Sequence, residues 1–564
     1  MGYYYKFKAW YRQRHPGAFV TKLPEKLFDG GLIVYVDMCL VLMGLADRFG
    51  CRSGMDGLLV LLSVIYRAFG EMKAPAVVLF WDESEYVTVG KAETQDERDA
   101  KTVQRHGRDL IDSFEANHGA TPMDYGPLPL PWDLYVRNRD RRRRVFRWFA
   151  EKIVEHMGVP EGKSVVLDRP PGFSHPVVVR DVAGTKRVEP FRSGANPKIG
   201  ESDFKPFYYM HSVFPDKNGL IYSVDADTVS IAMLERGHAL GSSDMLPNEV
   251  WIKSMDREER FEIDDNELLH EFRQRGWSKY VKLEEDLKRQ RSWGEPPLDA
   301  FAPENAYKRK FFSCKHEEFI DANELWRARL GSYESRRASF LASEMFVVLL
   351  TGNDMSGSSC LPGVGEMWLF ELWMSHRDQI GPILHVDPRM YVDESAPRPV
   401  PDFVAAWKLV RLAYQQKLSK KIGSVPDGEL LPYSRLVTYG PLKVGKHTLQ
   451  VPTKDEVRLL FARTLYALVY YSTGWGGGDK EPDALSADPE GRSILGWELI
   501  DKRGPREREN VRVVPAERLS HALVDDGGAD DAARVRFVKP LKKQFDDAES
   551  NPFSQTLRKR TGAS

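Results

Sequence analysis

Over the first 235 residues short apolar runs alternate with longer amphipathic stretches, and this alternation restricts the fold more than any other feature of the chain. A strand-like run followed by apolar positions at helical spacing, repeated several times, predicts an α/β domain with a largely parallel sheet flanked by helices. The strand candidates are 32–36, 75–80, 164–167 and 220–224, and the helical stretches are 55–72, 93–115, 134–157 and 205–213. From 237 to 337 the sequence turns polar, with a helical stretch at 266–291 and the proline-marked loop GEPPLDAFAPE, and reads as an insertion. Apolar character returns at 338–350. The predicted organisation is a core split between 1–236 and 338–381, the insertion 237–337, and a mainly helical extension 382–564 with helices at 403–418 and 454–471.

The length of 564 residues is enough for two to four packed units. A hydrophobic content of 42% with 29% charged residues excludes wholesale disorder, collagen and coiled coil. The most apolar stretch, 31–46, contains Asp37 and is shorter than the roughly 18 to 20 residues a bilayer span needs, so no transmembrane helix and no membrane partner are expected. The start MGYYYKFKAW lacks an apolar signal core, which gives cytosol or nucleus as the expected location. Cys39, Cys51, Cys314 and Cys360 include no close pair, so neither a disulfide frame nor a zinc knuckle is expected.

The acids stand in informative places. Functional groups of an open α/β sheet collect just past the carboxyl ends of the strands. Three strand candidates run into an acid there: IVYV into Asp37, VVLFW into Asp82 and LIYSV into Asp225, with Asp227 two residues on. The fourth, SVVL, leads through a loop to GESDFK, with Glu201 and Asp203, and the helix 338–350 delivers Asp354 in TGND. An acid-x-acid pair is common by chance, so the weight lies in the set. Seven carboxylates (Asp37, Asp82, Glu201, Asp203, Asp225, Asp227 and Asp354) at one sheet edge would repel unless cations neutralise them. Hard oxygen ligands in that number suit two Mg²⁺ or Mn²⁺ ions, the device used for phosphodiester displacement.

Two basic features accompany them. Lys91, Gln95 and Arg98 are spaced i, i+4, i+7, on one face if the segment is helical, and suit a terminal phosphate. The net charge is only −1, but 137–147 reads RNRDRRRRVFR. Arg137, Arg139, Arg141, Arg142, Arg143 and Arg144 would guide a nucleic-acid strand by charge without sequence choice.

These segments, in this order, resemble the XRN-type 5′-to-3′ exoribonucleases of the wider 5′-nuclease superfamily, to which the flap endonucleases also belong. MGYYYKFKAWYRQRHPG is similar to that family's start and FDGGLIVYVDM to its first acidic strand. GESDFK resembles its Gly-Glu-Gly-Glu-His-Lys signature, VDADT its Asp-x-Asp strand end, and TGNDMSGSSCLPGVG its Gly-Asn-Asp segment. The resemblance covers roughly 1–235 and 338–375, and all seven family acids have a counterpart, with Asp203 replacing a Glu. It implies a PIN-like twisted, mostly parallel sheet. It also implies a metal-dependent 5′-to-3′ exonuclease acting on single-stranded RNA with a 5′-monophosphate held by Lys91, Gln95 and Arg98. The sequence departs from the family at Met43, where XRN enzymes have a base-stacking His, at Glu83 where Gly is usual, and at Asp99 where a second basic residue is usual. A flap-endonuclease-like enzyme on DNA, to which LPGVG points, and a nuclease-shaped binding protein that does not cut are the alternatives.

Overall fold

The run LIVYVD is apolar on both sides of its pleat, which suits a strand covered on both faces, and it forms the centre of the sheet. The computed structural model describes residues 3–45, 54–82, 86–88, 132–137, 139–191, 202–223, 227–236, 248–254, 318–331, 337–350, 366–385, 400–423, 429–444, 447–449, 451–453 and 499–501, with single positions at 361, 364, 457, 461 and 464.

Within these residues a nine-stranded mixed sheet runs through the protein. Its strands belong to the series β1 (Phe19–Val20), β2 (Leu32–Asp37), β3 (Ala76–Phe80), β4 (Tyr86–Thr88), β5 (Ser164–Asp168), β6 (Val177–Val182), β7 (Thr185–Pro190), β8 (Asn218–Ser223), β9 (Val250–Ser254) and β10 (Glu318–Asp321). The order is β1-β10-β9-β8-β2-β3-β5-β6-β7, while β4 pairs separately with Leu499–Asp501. The five central strands, β9-β8-β2-β3-β5, are parallel, and antiparallel strands close both sides. The fold is therefore α/β, with a mostly parallel central sheet between helical layers.

Alternate residues of each central strand feed two cores. Val34, Val36, Val77, Leu79, Val165 and Leu167 face one core, with the helices Met38–Gly44, Gly54–Gly70, Trp132–Arg137 and Arg139–His156. Tyr35, Val78, Phe80, Val166 and Ile221 face the other, with the helices Tyr3–Arg14, Lys205–Ser212, Asp227–Arg236, Ala322–Gly331, Arg337–Leu350, Glu366–Ile380 and Phe403–Lys417. The division follows from chain direction. The path β2→β3→β5 steps one way across the sheet and β8→β9 steps the other, so crossovers of one hand must place their helices on opposite faces. Between β2 and β8 the direction reverses, which makes that junction the topological switch point.

All four expected strands are central strands, and the helices expected at 55–72, 205–213, 338–350 and 403–418 form with ends shifted by one or two residues. The stretch 134–157 forms the helices Trp132–Arg137 and Arg139–His156. Strands β9 and β10 and the helix Ala322–Gly331 fall in the span read as an insertion and belong to the central sheet and its core. Lys8 and Arg12 bridge Glu318 of β10 at 2.8 and 2.6 Å, fastening the first helix to that part of the sheet. The helix Phe403–Lys417, capped by Asp402 through the amide of Ala405, packs on the same core. The helical stretches expected at 93–115 and 266–291 lie outside the described residues, as does most of 454–471. No helix among the described residues is long and apolar enough to cross a membrane.

Candidate active site at the carboxyl edge of the sheet

Strand register fixes what lies level at the carboxyl edge. Asp37 of β2 is paired with Phe80 of β3, and Phe80 with Asp168 of β5. On the other side Val36 pairs with Tyr222, which sets Asp37 level with Ser223, the residue before the VDAD segment. The edge thus presents Ser223, Asp37, Phe80 and Asp168 in sheet order across the switch point.

Asp37 is 6% exposed. It caps the helix Met38–Gly44, one carboxylate oxygen accepting from the Cys39 amide at 2.8 Å. Asp82 lies two residues beyond Phe80, held by the fully buried Trp81, and is half-buried with one carboxylate oxygen enclosed. Asp203 is half-buried in the turn that leads into the helix Lys205–Ser212.

These three acids act on one group. The Cys39 thiol is pushed well above its ordinary value first by burial, then by the negative charges of Asp37, Asp82 and Asp203, with Arg142 opposing. Three of the seven predicted acids therefore share an electrostatic neighbourhood beside the switch point, and an arginine of the basic run shares it with them. Arg142 is half-buried, and its Nε is enclosed without a hydrogen bond among the described residues.

The remaining predicted residues fall differently. Glu201, Asp225 and Asp354, and the phosphate set Lys91, Gln95 and Arg98, lie outside the described residues. Asp227 opens the helix Asp227–Arg236, and its side chain is not described. Thr228 donates to the Ser223 hydroxyl at 2.8 Å, which ties that helix start to the end of β8. Among the described residues no three acids, histidines or cysteines gather closely enough to hold a metal ion.

The basic run divides. Arg137 and Arg139 lie at helix ends, with side chains not described. Arg141 is 2% exposed, its guanidinium 5.4 Å from the centre of the Tyr135 ring. Arg143 and Arg144 are exposed. Met43 is 45% exposed rather than turned into the core, at the end of the helix that begins beside Asp37.

Sequence reasoning passed over a buried polar group at this edge. Asp168 accepts from the Tyr209 hydroxyl at 2.8 Å and lies 3.5 Å from the Lys205 ammonium. That ammonium donates to the Trp81 carbonyl at 2.6 Å. Arg169, next in the chain, has a φ of +49°, an uncommon conformation for a residue with a Cβ. The signal was present in the sequence, since SVVLD ends on its acid as the other strands do, and Lys205 closes GESDFK. Comparison with known proteins finds no family model and no curated protein that matches the chain.

Proposed function

We propose that this sheet is of the PIN-like 5′-nuclease type and that the protein is a divalent-metal-dependent 5′-to-3′ exonuclease of single-stranded RNA bearing a 5′-monophosphate. The observation that carries the reading is the place of Asp37 at the carboxyl end of β2, level with Phe80 of β3 two residues before Asp82, beside the junction with the strand that leads into Asp225. Ligands of open α/β sheets bind at this place.

The donor set fits Mg²⁺ or Mn²⁺, because the predicted ligands supply only carboxylate oxygens. Asp37, Asp82, Glu201, Asp203, Asp225, Asp227 and Asp354 would hold two such ions, which supply an activated water and stabilise the leaving oxygen when bound. The chain's own residues do the rest. Arg142 offsets the negative charge of the acids and offers guanidinium donors to a phosphodiester brought beside them. Lys91, Gln95 and Arg98 would hold the 5′-phosphate, and Arg143 and Arg144 are exposed where they can meet a strand's backbone.

The test is cleavage of end-labelled RNA and DNA, single-stranded and flapped, by purified protein in Mg²⁺. Asp225→Ala and Asp227→Ala are expected to abolish cleavage while the melting temperature holds or rises, since each removes one charge from a repelling cluster. Wild-type activity in either variant, with Mg²⁺ as the sole metal, refutes the two-metal reading. Preference for flapped DNA would move the protein to the flap-endonuclease side of the superfamily, and no cleavage of any substrate would make it a binding protein.

A further inference from the structure

We propose that Lys205 is a positioning residue for the acid edge: its ammonium fastens the turn carrying Asp203 to the end of the strand carrying Asp82. The inference rests on the reading of that edge as a metal site.

The geometry is a buried three-way joint. Lys205 is 3% exposed and opens the helix Lys205–Ser212, two residues after Asp203. Its Nζ donates at 2.6 Å to the carbonyl of Trp81, the residue before Asp82. The same Nζ lies 3.5 Å from Asp168, at the end of β5. Tyr209, one helical turn after Lys205, donates to the other Asp168 oxygen at 2.8 Å and packs edge-on to Phe80 at 5.2 Å. One side chain thus ties together the ends of β3 and β5 and the start of a helix, and so sets Asp82 and Asp203 in register.

An ammonium enclosed this way makes a strong joint. Its charge is matched by Asp168, and the donor to Trp81 fixes a backbone carbonyl rather than a flexible side chain. Asp82 and Asp203 are half-buried carboxylates of like charge, and fixing the backbone on which each stands fixes where their oxygens can reach. Groups behind metal ligands commonly set affinity by ten- to a hundredfold, because they hold ligand geometry without touching the ion.

The experiment compares Lys205→Met, Lys205→Arg and Tyr209→Phe with wild type. Mn²⁺ binding is measured by calorimetry with the metal alone, and crystal structures of wild type and Lys205→Met give the separation of the Asp82 and Asp203 carboxylates. Lys205→Met is expected to bind Mn²⁺ at least about tenfold more weakly with those carboxylates displaced. Lys205→Arg should recover most of the affinity and Tyr209→Phe should lose less. Unchanged Mn²⁺ affinity in a folded Lys205→Met overturns the inference. If that variant does not fold, Lys205→Gln takes its place, and unchanged Mn²⁺ affinity in it overturns the inference. If wild type itself neither binds Mn²⁺ nor cuts RNA, the metal-nuclease reading falls. The joint is then judged on the crystal structures: carboxylates at the wild-type separation refute it, and displaced carboxylates uphold it.

Discussion

Asp37 has two separable duties. As a cap it needs only an acceptor oxygen for the Cys39 amide, and in the proposed role of metal ligand it would need its charge. Asp37→Asn keeps the acceptor, so its melting temperature should hold or rise while Mn²⁺ affinity and cleavage collapse. Asp37→Ala should lose the cap as well, lowering stability by about 0.5 to 2 kcal/mol in denaturant titration. Equal stability losses in the two variants would mean that the charge itself supports the fold. Elsewhere charge is plainly structural: Arg329 donates from Nε to both oxygens of Glu344 at 2.8 and 3.0 Å, and the pair is buried between the helices Ala322–Gly331 and Arg337–Leu350. Arg329→Met leaves that carboxylate buried without its cation and should cost about 3 to 5 kcal/mol, most of it regained by adding Glu344→Leu. Asp321 shows the opposite balance. Burial raises its carboxyl above the ordinary value, although the amides of Asn323 and Glu324 bond to it at 2.9 and 3.0 Å and work against the shift. A folded-state value above the unfolded one gives a contribution that is complete at low pH and lost as pH rises through the folded value. At pH 7 the ionised group therefore opposes folding. Asp321→Asn, which keeps the cap acceptor, should hold or raise the melting temperature at pH 7, and the difference should shrink toward about pH 4. A variant less stable at pH 7 than at pH 4, relative to wild type, would contradict this.

At the scale of elements, the helix Arg139–His156 shows how much the sequence disclosed. Val145, Phe149 and Ile153 form its buried stripe, and one step back along that stripe stands Arg141. The four-residue spacing already placed Arg141 inside, but a run of six arginines reads first as a charged surface. The element was legible; the division of its charges needed the period to be taken seriously. Exposed Arg143 and Arg144 carry the strand-guiding expectation. Replacing both by Ala should weaken RNA binding at low salt and flatten the plot of log affinity against log salt by about 0.7 for each phosphate no longer neutralised. Arg141→Met should leave that slope alone and act on stability. Equal slopes for wild type and the double variant would remove the two arginines from the binding face. The hairpin β6–β7 turns at Ala-Gly with both turn residues at positive φ, and the Asp181 side chain accepts from the Gly184 amide at 2.8 Å, but Ala-Gly is not a dipeptide that marks such a turn in sequence. Strand β10 had no local signal either. EFID is four residues long, and its pairing with VWIKS joins segments far apart in the chain, which no local pattern encodes.

For the whole molecule, the arrangement of strands is what brings acids far apart in the chain to one edge of the sheet. Four strand candidates, and the acids that follow three of them, were legible in the sequence, but the order β9-β8-β2-β3-β5 was not, because it depends on which faces the crossovers cover. That order also bears on the 5′ end of the proposed substrate. The chain leaves the sheet at Trp81 and Asp82, on the carboxyl edge, and returns at Trp132, whose indole donates to the Leu42 carbonyl at 2.7 Å in the helix that starts beside Asp37. Lys91, Gln95 and Arg98 lie between these two points in the chain, outside the described residues. If those three residues bind a terminal phosphate, RNA with a 5′-phosphate should be degraded faster than the same RNA with a 5′-hydroxyl, and capped RNA should resist. A charge-assisted hydrogen bond to phosphate contributes about 1.5 to 3 kcal/mol. Arg98→Ala should accordingly slow the phosphorylated substrate about tenfold or more and leave the hydroxyl substrate nearly unchanged, in single-turnover assays on end-labelled strands. A wild-type protein that treats both ends alike would separate the acid edge from any 5′-phosphate pocket. The site would then be one that cuts, or binds, along a strand without reading its end.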